Sequence, residues 1–298
     1  MRANQNGAVF YALASTVYNG RLFIGTNDSA RVYALDENHN LQYAGQLGSQ
    51  SKIFTITTYR GRLYAAALGS NPLAHVYRYE GGETWTDVSP NIDFIDVPYL
   101  KEYDGRLCAG TALGAVYCYD GLAWENTGRL DFGGEADSRG SDIDYLGVYN
   151  GSLFAGTNVS GRIYRYDNHT WAYAGKAGPF DVSAFAVYDG VLYAGTNLDN
   201  SVYRYWGGTS WTPAGRLGEG HYVNSLVVFD GRLYGGTDAD NGSVYIYAGG
   251  LNWNSTGRLG SYSPEAPDDV AWVYTLTVFN GRLYGGSKDG YLYYYEPE

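Results

Sequence analysis

The chain has 298 residues, of which 42 are glycine and 32 are tyrosine, with two cysteines and a single methionine. An apolar content of 45% with 16% aromatic residues excludes a disordered chain, and no stretch approaches the ~20 apolar residues of a membrane-spanning helix. The net charge of −11 argues against nucleic acid or an anionic membrane as the main partner. Abundant glycine and tyrosine favour short strands joined by tight turns.

One motif, aromatic-x-Gly-x-Leu-aromatic, organises the chain from its beginning to its end. Its first glycine falls in chain order at Gly20, Gly61, Gly105, Gly151, Gly190, Gly231 and Gly281. These intervals of 39 to 50 residues are typical of the four-stranded blades of a β-propeller. We therefore predict an all-β fold with almost no helix: a seven-bladed β-propeller of four-stranded antiparallel blades, with residues 1–298 in a single domain.

The sixth repeat shows how each predicted blade is built. An apolar strand, Ser225–Phe229, leads through an Asp230-Gly231 hairpin turn into a second strand, Arg232–Thr237. A polar loop then precedes a third strand, Ser243–Tyr247. The fourth strand starts near Trp253, after a Gly-Gly turn.

The order of these residues resembles two families of propeller repeat. Gly-x-Leu-Tyr, followed by Val-Tyr as at Val244-Tyr245 and by Trp253, is similar to a kelch repeat. The turn between third and fourth strands, Tyr79–Trp85, is similar to the Asp-box turn of sialidase-like propellers. The resemblance covers nearly the whole chain and implies the propeller fold. Both families contain binding proteins and enzymes, so the resemblance implies no single activity.

The seventh repeat is expected to be incomplete, because its third strand, Tyr291–Tyr295, is followed only by three residues. Two arrangements remain open. Met1–Ala8 pairs briefly as the fourth strand, or blade 7 has three strands and an exposed edge that another chain can pair with.

The two cysteines replace two repeated residues together. Cys108 stands where other repeats have an aromatic residue, and Cys118 where three of them have an arginine. We expect these positions to face each other on neighbouring strands, so that a disulfide and a buried reduced pair are both open. The same register predicts three cation–π pairs, which are Arg78 with Tyr64, Arg165 with Phe154 and Arg204 with Tyr193.

The loops are predicted to divide between two faces. First and third turns are short, whereas second turns and the linkers between blades vary in length. Because alternate turns of an antiparallel meander lie on opposite sides, all variable segments should share one face. We call it the variable-loop face, and the opposite one the short-turn face. More than half of the acidic residues fall on the variable-loop face, which should attract cations or basic partners.

The candidate ligand-binding residues are those of the variable-loop face that break the repeat. They are aromatic residues with neighbouring acids and a histidine: Phe94, Asp96, Phe132, Phe180, His221, Tyr222, Tyr262, Asp268, Asp269 and Trp272. Aromatic rings beside carboxylates suit sugar rings, a protein loop or a basic peptide. The alternative is that these rings only pack the loops onto the blades.

From these residues we predict a non-catalytic recognition or scaffold propeller that binds a protein or a glycan through its acidic variable-loop face. One alternative is a carbohydrate-active enzyme with a carboxylate pair drawn from Asp93, Asp96, Asp142, Asp144, Asp268 and Asp269. Another is a structural or sensor domain of a larger protein. No known catalytic motif or Cys/His cluster is present, so we assign no catalytic or metal-binding residue and expect no cofactor. We further expect a monomer with no nucleic-acid partner and no membrane span, and the sequence assigns no compartment.

Overall fold

A computed structural model describes residues 11–69, 73–90, 99–112, 114–130, 142–158, 161–167, 169–238, 242–259, 272–287 and 291–295. These residues form 27 β-strands and no helix, and none of them belongs to a helix that could cross a membrane. The strands group into seven antiparallel meanders, which are the blades of a seven-bladed β-propeller. The predicted fold class is confirmed.

Six blades have four strands, hydrogen-bonded in chain order from the axis outward. Blade 1 contains β1 (Ala12–Tyr18), β2 (Arg21–Thr26), β3 (Arg31–Leu35) and β4 (Leu41–Gln46). Blade 2 contains β5 (Lys52–Tyr59), β6 (Arg62–Leu68), β7 (Ala74–Gly81) and β8 (Thr84–Asp87). Blade 3 contains β9 (Tyr99–Tyr103), β10 (Arg106–Gly110), β11 (Ala115–Tyr119) and β12 (Trp124–Arg129).

Blade 4 contains β13 (Ile143–Tyr149), β14 (Ser152–Thr157), β15 (Arg162–Asp167) and β16 (Thr170–Lys176). Blade 5 contains β17 (Val182–Tyr188), β18 (Val191–Thr196), β19 (Ser201–Gly207) and β20 (Ser210–Arg216). Blade 6 contains β21 (Val223–Phe229), β22 (Arg232–Thr237), β23 (Ser243–Gly249) and β24 (Asn252–Arg258). Blade 7 has three strands, β25 (Val273–Phe279), β26 (Arg282–Ser287) and β27 (Leu292–Tyr295). Met1–Ala8, proposed above as a partner for this blade, lies outside the described residues.

The first strands of consecutive blades contact one another around the axis, and β25 contacts β1 to complete the ring. Seven hydrophobic clusters fill the seven interfaces between blades. The cluster between blades 7 and 1 joins Leu22 and Leu35 to Phe279 and Tyr284. The ring therefore closes through side-chain packing of the same kind as at every other interface.

Close packing at these interfaces explains part of the glycine content. A Cβ atom at Gly195 would lie 2.5 Å from Val223 Cγ1 of the next blade, and one at Gly286 would lie 2.6 Å from Ala12 Cβ. Such distances are far shorter than van der Waals contact, so each second strand needs glycine or another small residue where the next blade crosses it.

The repeated tryptophans of the fourth strands connect neighbouring blades. The Nε1–H groups of Trp85, Trp211 and Trp253 donate to the carbonyl oxygens of Ala44, Ala174 and Ala214, each at 2.8 Å. Repeated tyrosines such as Tyr64 and Tyr284 are buried in the interblade clusters. These repeated aromatic residues therefore hold neighbouring blades together.

The predicted faces are also confirmed. The linker after blade 1 bonds to the second turn of that blade through Leu47 N–H and Ala30 O at 3.1 Å, and Leu217 and Asn200 repeat the bond in blade 5 at 3.0 Å. First turns lie at the opposite strand ends and have positive φ at both central residues, as at Asp230 (47°) and Gly231 (67°). These angles are those of a type I′ hairpin turn, which Asp-Gly favours.

The register of blade 3 pairs Cys108 with Cys118, and the two form a disulfide. Tyr64, Phe154 and Tyr193 pair with Arg78, Arg165 and Arg204 as predicted. The contacts of these arginines differ from the expected cation–π pairs. Arg78 and Arg165 form ion pairs with the acids two residues later, and Arg204 lies over Trp206.

Candidate functional site

A cavity of about 330 Å³ lies on the propeller axis, and all seven blades contribute first-strand residues to its wall. This volume is at the lower end of the range typical of small-ligand sites. Polar residues from different blades line it: Ser15, Thr55, Asp144, Ser183, Asn197, Asn224, Ser225 and Thr275. We call it the axial cavity.

A β-bulge at the same place in six blades directs side chains into this cavity. The pairing of first and second strands shifts register between Val223 and Ser225 in blade 6, which leaves Asn224 as the extra residue. Equivalent shifts occur in blades 1, 2, 4, 5 and 7. A bulge re-aims the residue that it inserts. The six inserted residues, all of which line the axial cavity, are Leu13, Phe54, Asp144, Ser183, Asn224 and Tyr274.

Several polar atoms of the wall are buried without a partner. Asn197 Oδ1, Asn224 Nδ2 and Ser225 Oγ have no hydrogen bond within the part of the chain that the structure describes. By contrast, Ser183 Oγ donates to the carbonyl oxygen of Val223 at 2.6 Å. Buried polar atoms are nearly always paired with protein or ordered water, so three atoms without a protein partner in one cavity make it the candidate site for a polar ligand or bound water.

Two tyrosines form the inner end of the axial cavity. The Tyr99 hydroxyl donates to that of Tyr145 at 2.7 Å, and the ring centroids are 3.8 Å apart. Burial raises the pKa of both hydroxyls. The same two residues also line a second cavity of about 280 Å³, together with Lys101, whose pKa burial lowers. The tyrosine pair thus lies between two axial cavities, and both of its phenols stay protonated at neutral pH.

The linker between blades 5 and 6 presents two of the predicted residues. Buried Asp238 accepts hydrogen bonds from the backbone N–H groups of His221 and Tyr222, both at 2.8 Å. Asn200 accepts a hydrogen bond from Thr237 Oγ1 at 2.9 Å and donates to the carbonyl oxygen of Leu217. These bonds fix the linker at both ends. His221 itself remains exposed, with Nδ1 3.5 Å from Asp238 Oδ2.

Three aromatic residues pack in a row, one end of which reaches the axial cavity. The Tyr222 and Trp272 ring centroids are 5.4 Å apart, and those of Trp272 and Tyr274 are 5.6 Å apart. Tyr274 also lines the axial cavity. We call these three residues the aromatic cluster. It joins two predicted site residues to one that the sequence did not single out.

Of the remaining predicted site residues, the structure describes only Phe180. Phe180 lies on the linker between blades 4 and 5, beside Gly161, and does not line the axial cavity. Phe94, Asp96, Phe132, Tyr262, Asp268 and Asp269 lie outside the described residues, so their part in binding stays a prediction. Much of the predicted acidic surface lies outside them too.

Of the carboxylates proposed for catalysis, Asp142 and Asp144 are described, and Asp144 lines the axial cavity. Asp142 accepts a hydrogen bond from Asn158 Nδ2 at 3.0 Å. The histidine–carboxylate pairs were not predicted from the sequence: His75 Nδ1 lies 2.7 Å from Asp87 Oδ2, and His221 pairs with Asp238 as above. The described residues contain no group of three His, Cys, Asp or Glu side chains arranged to hold a metal.

The backbone is similar to those of solved β-propellers. A catalytically inactive virginiamycin B lyase from Staphylococcus aureus, solved with quinupristin, matches with a TM-score of 0.76 at 11% identity, over 98% of this chain and 97% of that one. YCF48 from Cyanidioschyzon merolae gives 0.71 at 12% identity, over 98% and 97%. A chain of the mitotic checkpoint complex gives 0.71 at 14% identity, over 98% and 89%.

No protein-family model matches the sequence, and neither does any curated protein. The kelch-like and Asp-box-like character of the repeats therefore stays a prediction. At identities below 15%, similarity between structures establishes the architecture and not the activity. The chain is a seven-bladed β-propeller, a fold that it shares with a lyase and with a chain of the mitotic checkpoint complex.

Proposed function

We propose that this propeller is a non-catalytic recognition protein that binds a neutral, hydroxyl-rich ligand, such as a saccharide unit of a glycan, in the axial cavity. The observation that carries the proposal is the set of buried, unpaired polar atoms Asn197 Oδ1, Asn224 Nδ2 and Ser225 Oγ. A buried polar atom without a partner destabilises a protein by about 1–3 kcal/mol. A ligand that hydrogen-bonds to these atoms recovers that free energy on binding.

The chemistry of the wall favours hydroxyl groups on the ligand. Amide and hydroxyl side chains both donate and accept, as sugar hydroxyls do. Asp144 is the one charged residue among the described residues of the wall. A strongly charged ligand would need more counter-charges than this cavity offers.

The aromatic cluster supports a ring-shaped ligand. Tyr274 lines the cavity, Trp272 packs beside Tyr274, and Tyr222 packs beside Trp272. Aromatic faces pack against the apolar faces of sugar rings, while the hydroxyls at the ring edge remain free for polar groups. The cavity and the aromatic cluster together therefore suit a saccharide better than an extended peptide.

Hydrolysis is not part of the proposal. A glycosidase needs two carboxyl groups, about 5–5.5 Å apart in retaining enzymes and about 6.5–9.5 Å apart in inverting ones. Within the described wall of the axial cavity, Asp144 has no second carboxylate beside it. The solved lyase that shares the fold was crystallised with quinupristin, which supports a propeller of this shape as a small-ligand binder.

Glycan-array binding, followed by titration calorimetry on the best ligand, tests the proposal. Asn224→Ala and Trp272→Ala should each weaken binding at least about tenfold, since they remove a polar contact and a stacking surface. Tyr173→Ala is the matched control, because Tyr173 is an exposed aromatic residue of the outer strand β16. Retained binding in both site variants, or capture of a protein partner with no glycan bound, would contradict the proposal.

A further inference from the structure

A third cavity, of about 610 Å³, opens on the short-turn face between blades 4 and 5. The first turn of blade 4 (Tyr149–Gly151) and the third turn of blade 5 (Gly207 and Gly208) form its rim. Arg165, Asp167, Arg204 and Trp206 line its wall. We call it the interblade groove, and it shares no residue with the axial cavity.

The repeat shows what is unusual about Arg204. In blade 2, the equivalent Arg78 bonds to Glu80, two residues later, at 2.7 Å. In blade 4, Arg165 Nη2 lies 3.4 Å from Asp167 Oδ2. In blade 5 the residue two positions later is Trp206. Arg204 therefore lacks the internal acid that its two counterparts have, and no other carboxylate of the described residues replaces it.

Arg204 and Trp206 form a preorganised pair. The guanidinium carbon lies 4.2 Å from the indole ring centroid, and Arg204 Nε is buried with no hydrogen-bond partner among the residues that the structure describes. The indole Nε1–H donates to Thr212 Oγ1 at 2.7 Å, which holds the ring in place. Trp206 nevertheless remains 61% exposed. An ordered but exposed tryptophan beside an unpaired arginine is typical of binding sites.

The charges of the wall define the ligand. Arg165 and Asp167 neutralise each other, so Arg204 leaves the groove with one net positive charge. A guanidinium donates two parallel hydrogen bonds to a carboxylate. We propose that the interblade groove binds a small organic carboxylate, with its anionic group on Arg204 and a flat ring packed against the part of the Trp206 indole that Arg204 leaves uncovered. This site is independent of the function proposed for the axial cavity.

Saturation-transfer-difference NMR on the full chain, with benzoate as the probe and neutral benzamide as its isostere, tests the site. Benzoate should bind saturably, and benzamide at least about tenfold more weakly, because only benzoate forms charge-assisted hydrogen bonds. Arg204→Gln should weaken benzoate binding at least about tenfold. Trp206→Glu should do the same, since it supplies Arg204 with the internal acid found in blades 2 and 4.

Arg78→Gln is the matched control, because that arginine is already paired with Glu80, and it should leave benzoate binding unchanged. Far-ultraviolet circular dichroism verifies that each variant is folded, and Arg204→Lys, which keeps the charge, should retain part of the affinity. Equal binding of benzoate and benzamide would overturn the proposal, as would unchanged binding in Arg204→Gln. Tighter binding of phenyl phosphate than of benzoate would overturn the assignment of a singly charged ligand.

Discussion

Two serines of the axial cavity should respond to alanine substitution with opposite signs. Ser225 is 9% exposed and its Oγ has no partner within the described residues, whereas Ser183 Oγ donates to Val223 O at 2.6 Å. An unpaired buried hydroxyl costs about 1–3 kcal/mol, and a satisfied one contributes about 0.5–1.5 kcal/mol. Ser225→Ala should therefore raise the free energy of unfolding by about 1 kcal/mol, and Ser183→Ala should lower it by about 1 kcal/mol.

Urea denaturation of the two variants and the parent, monitored by tryptophan fluorescence, measures this difference of about 2 kcal/mol. Both substitutions remove one hydroxyl from the same wall, so each is the other's control. The same Ser225→Ala variant should bind the glycan ligand more weakly, because Ser225 Oγ, which destabilises the free protein while it has no partner, is also the atom that hydrogen-bonds to the ligand. If Ser225→Ala destabilises the protein as much as Ser183→Ala does, Ser225 Oγ is satisfied in the free protein and the argument for the axial cavity fails.

Three further predictions concern the framework. Trp211→Phe should lower the free energy of unfolding by about 1–2 kcal/mol, because the Ala174 carbonyl loses its 2.8 Å indole donor. Trp206→Phe, on the exposed surface, should change the free energy of unfolding little. Equal effects of the two substitutions in urea denaturation would contradict the role of the interblade hydrogen bond. Burial raises the pKa of Tyr193 to about 12, so this phenol favours the folded state below the unfolded pKa of about 10, and stability should fall as pH rises from there through about 12. Spectrophotometric titration at high pH should show one fewer late-ionising tyrosine in Tyr193→Phe than in the parent, and an unchanged number would contradict the prediction. Replacing Cys108 and Cys118 by alanine removes a disulfide between residues ten positions apart and should lower the free energy of unfolding by about 2–3 kcal/mol. An unchanged urea midpoint would show that the disulfide does not constrain the unfolded chain.

The propeller was predictable because its signals are local and repeat seven times. Gly231 follows Asp230 in a turn that needs positive φ at both residues. The tryptophan at Trp253 recurs in five blades, where its indole N–H bonds to the preceding blade. The register was equally accessible, since Cys108 and Cys118 substitute together at paired positions. These features depend on residues close in sequence or equivalent by the repeat.

The site was harder to predict because its residues meet only in the folded ring. Asn224 lies just before the predicted strand Ser225–Phe229, and only the bulge between Val223 and Ser225 places it in the axial cavity. Asp238 follows the predicted strand Arg232–Thr237 at the start of a polar loop, yet it is a buried acceptor for the linker that carries His221 and Tyr222. Comparing the repeats at the second residue of each first strand would have given a signal, since Leu13, Asp144, Ser183 and Tyr274 differ there while the residue before each of them is aliphatic.

The shared bulge has a consequence for how such a protein can change its specificity. A bulged residue has no cross-strand partner, so its replacement leaves the hydrogen-bonded register of its own blade unchanged. Leu13, Phe54, Asp144, Ser183, Asn224 and Tyr274 come from six different blades. The residues that line the axial cavity can therefore vary while the strand pairing of the blades is kept, so one backbone can present different cavities.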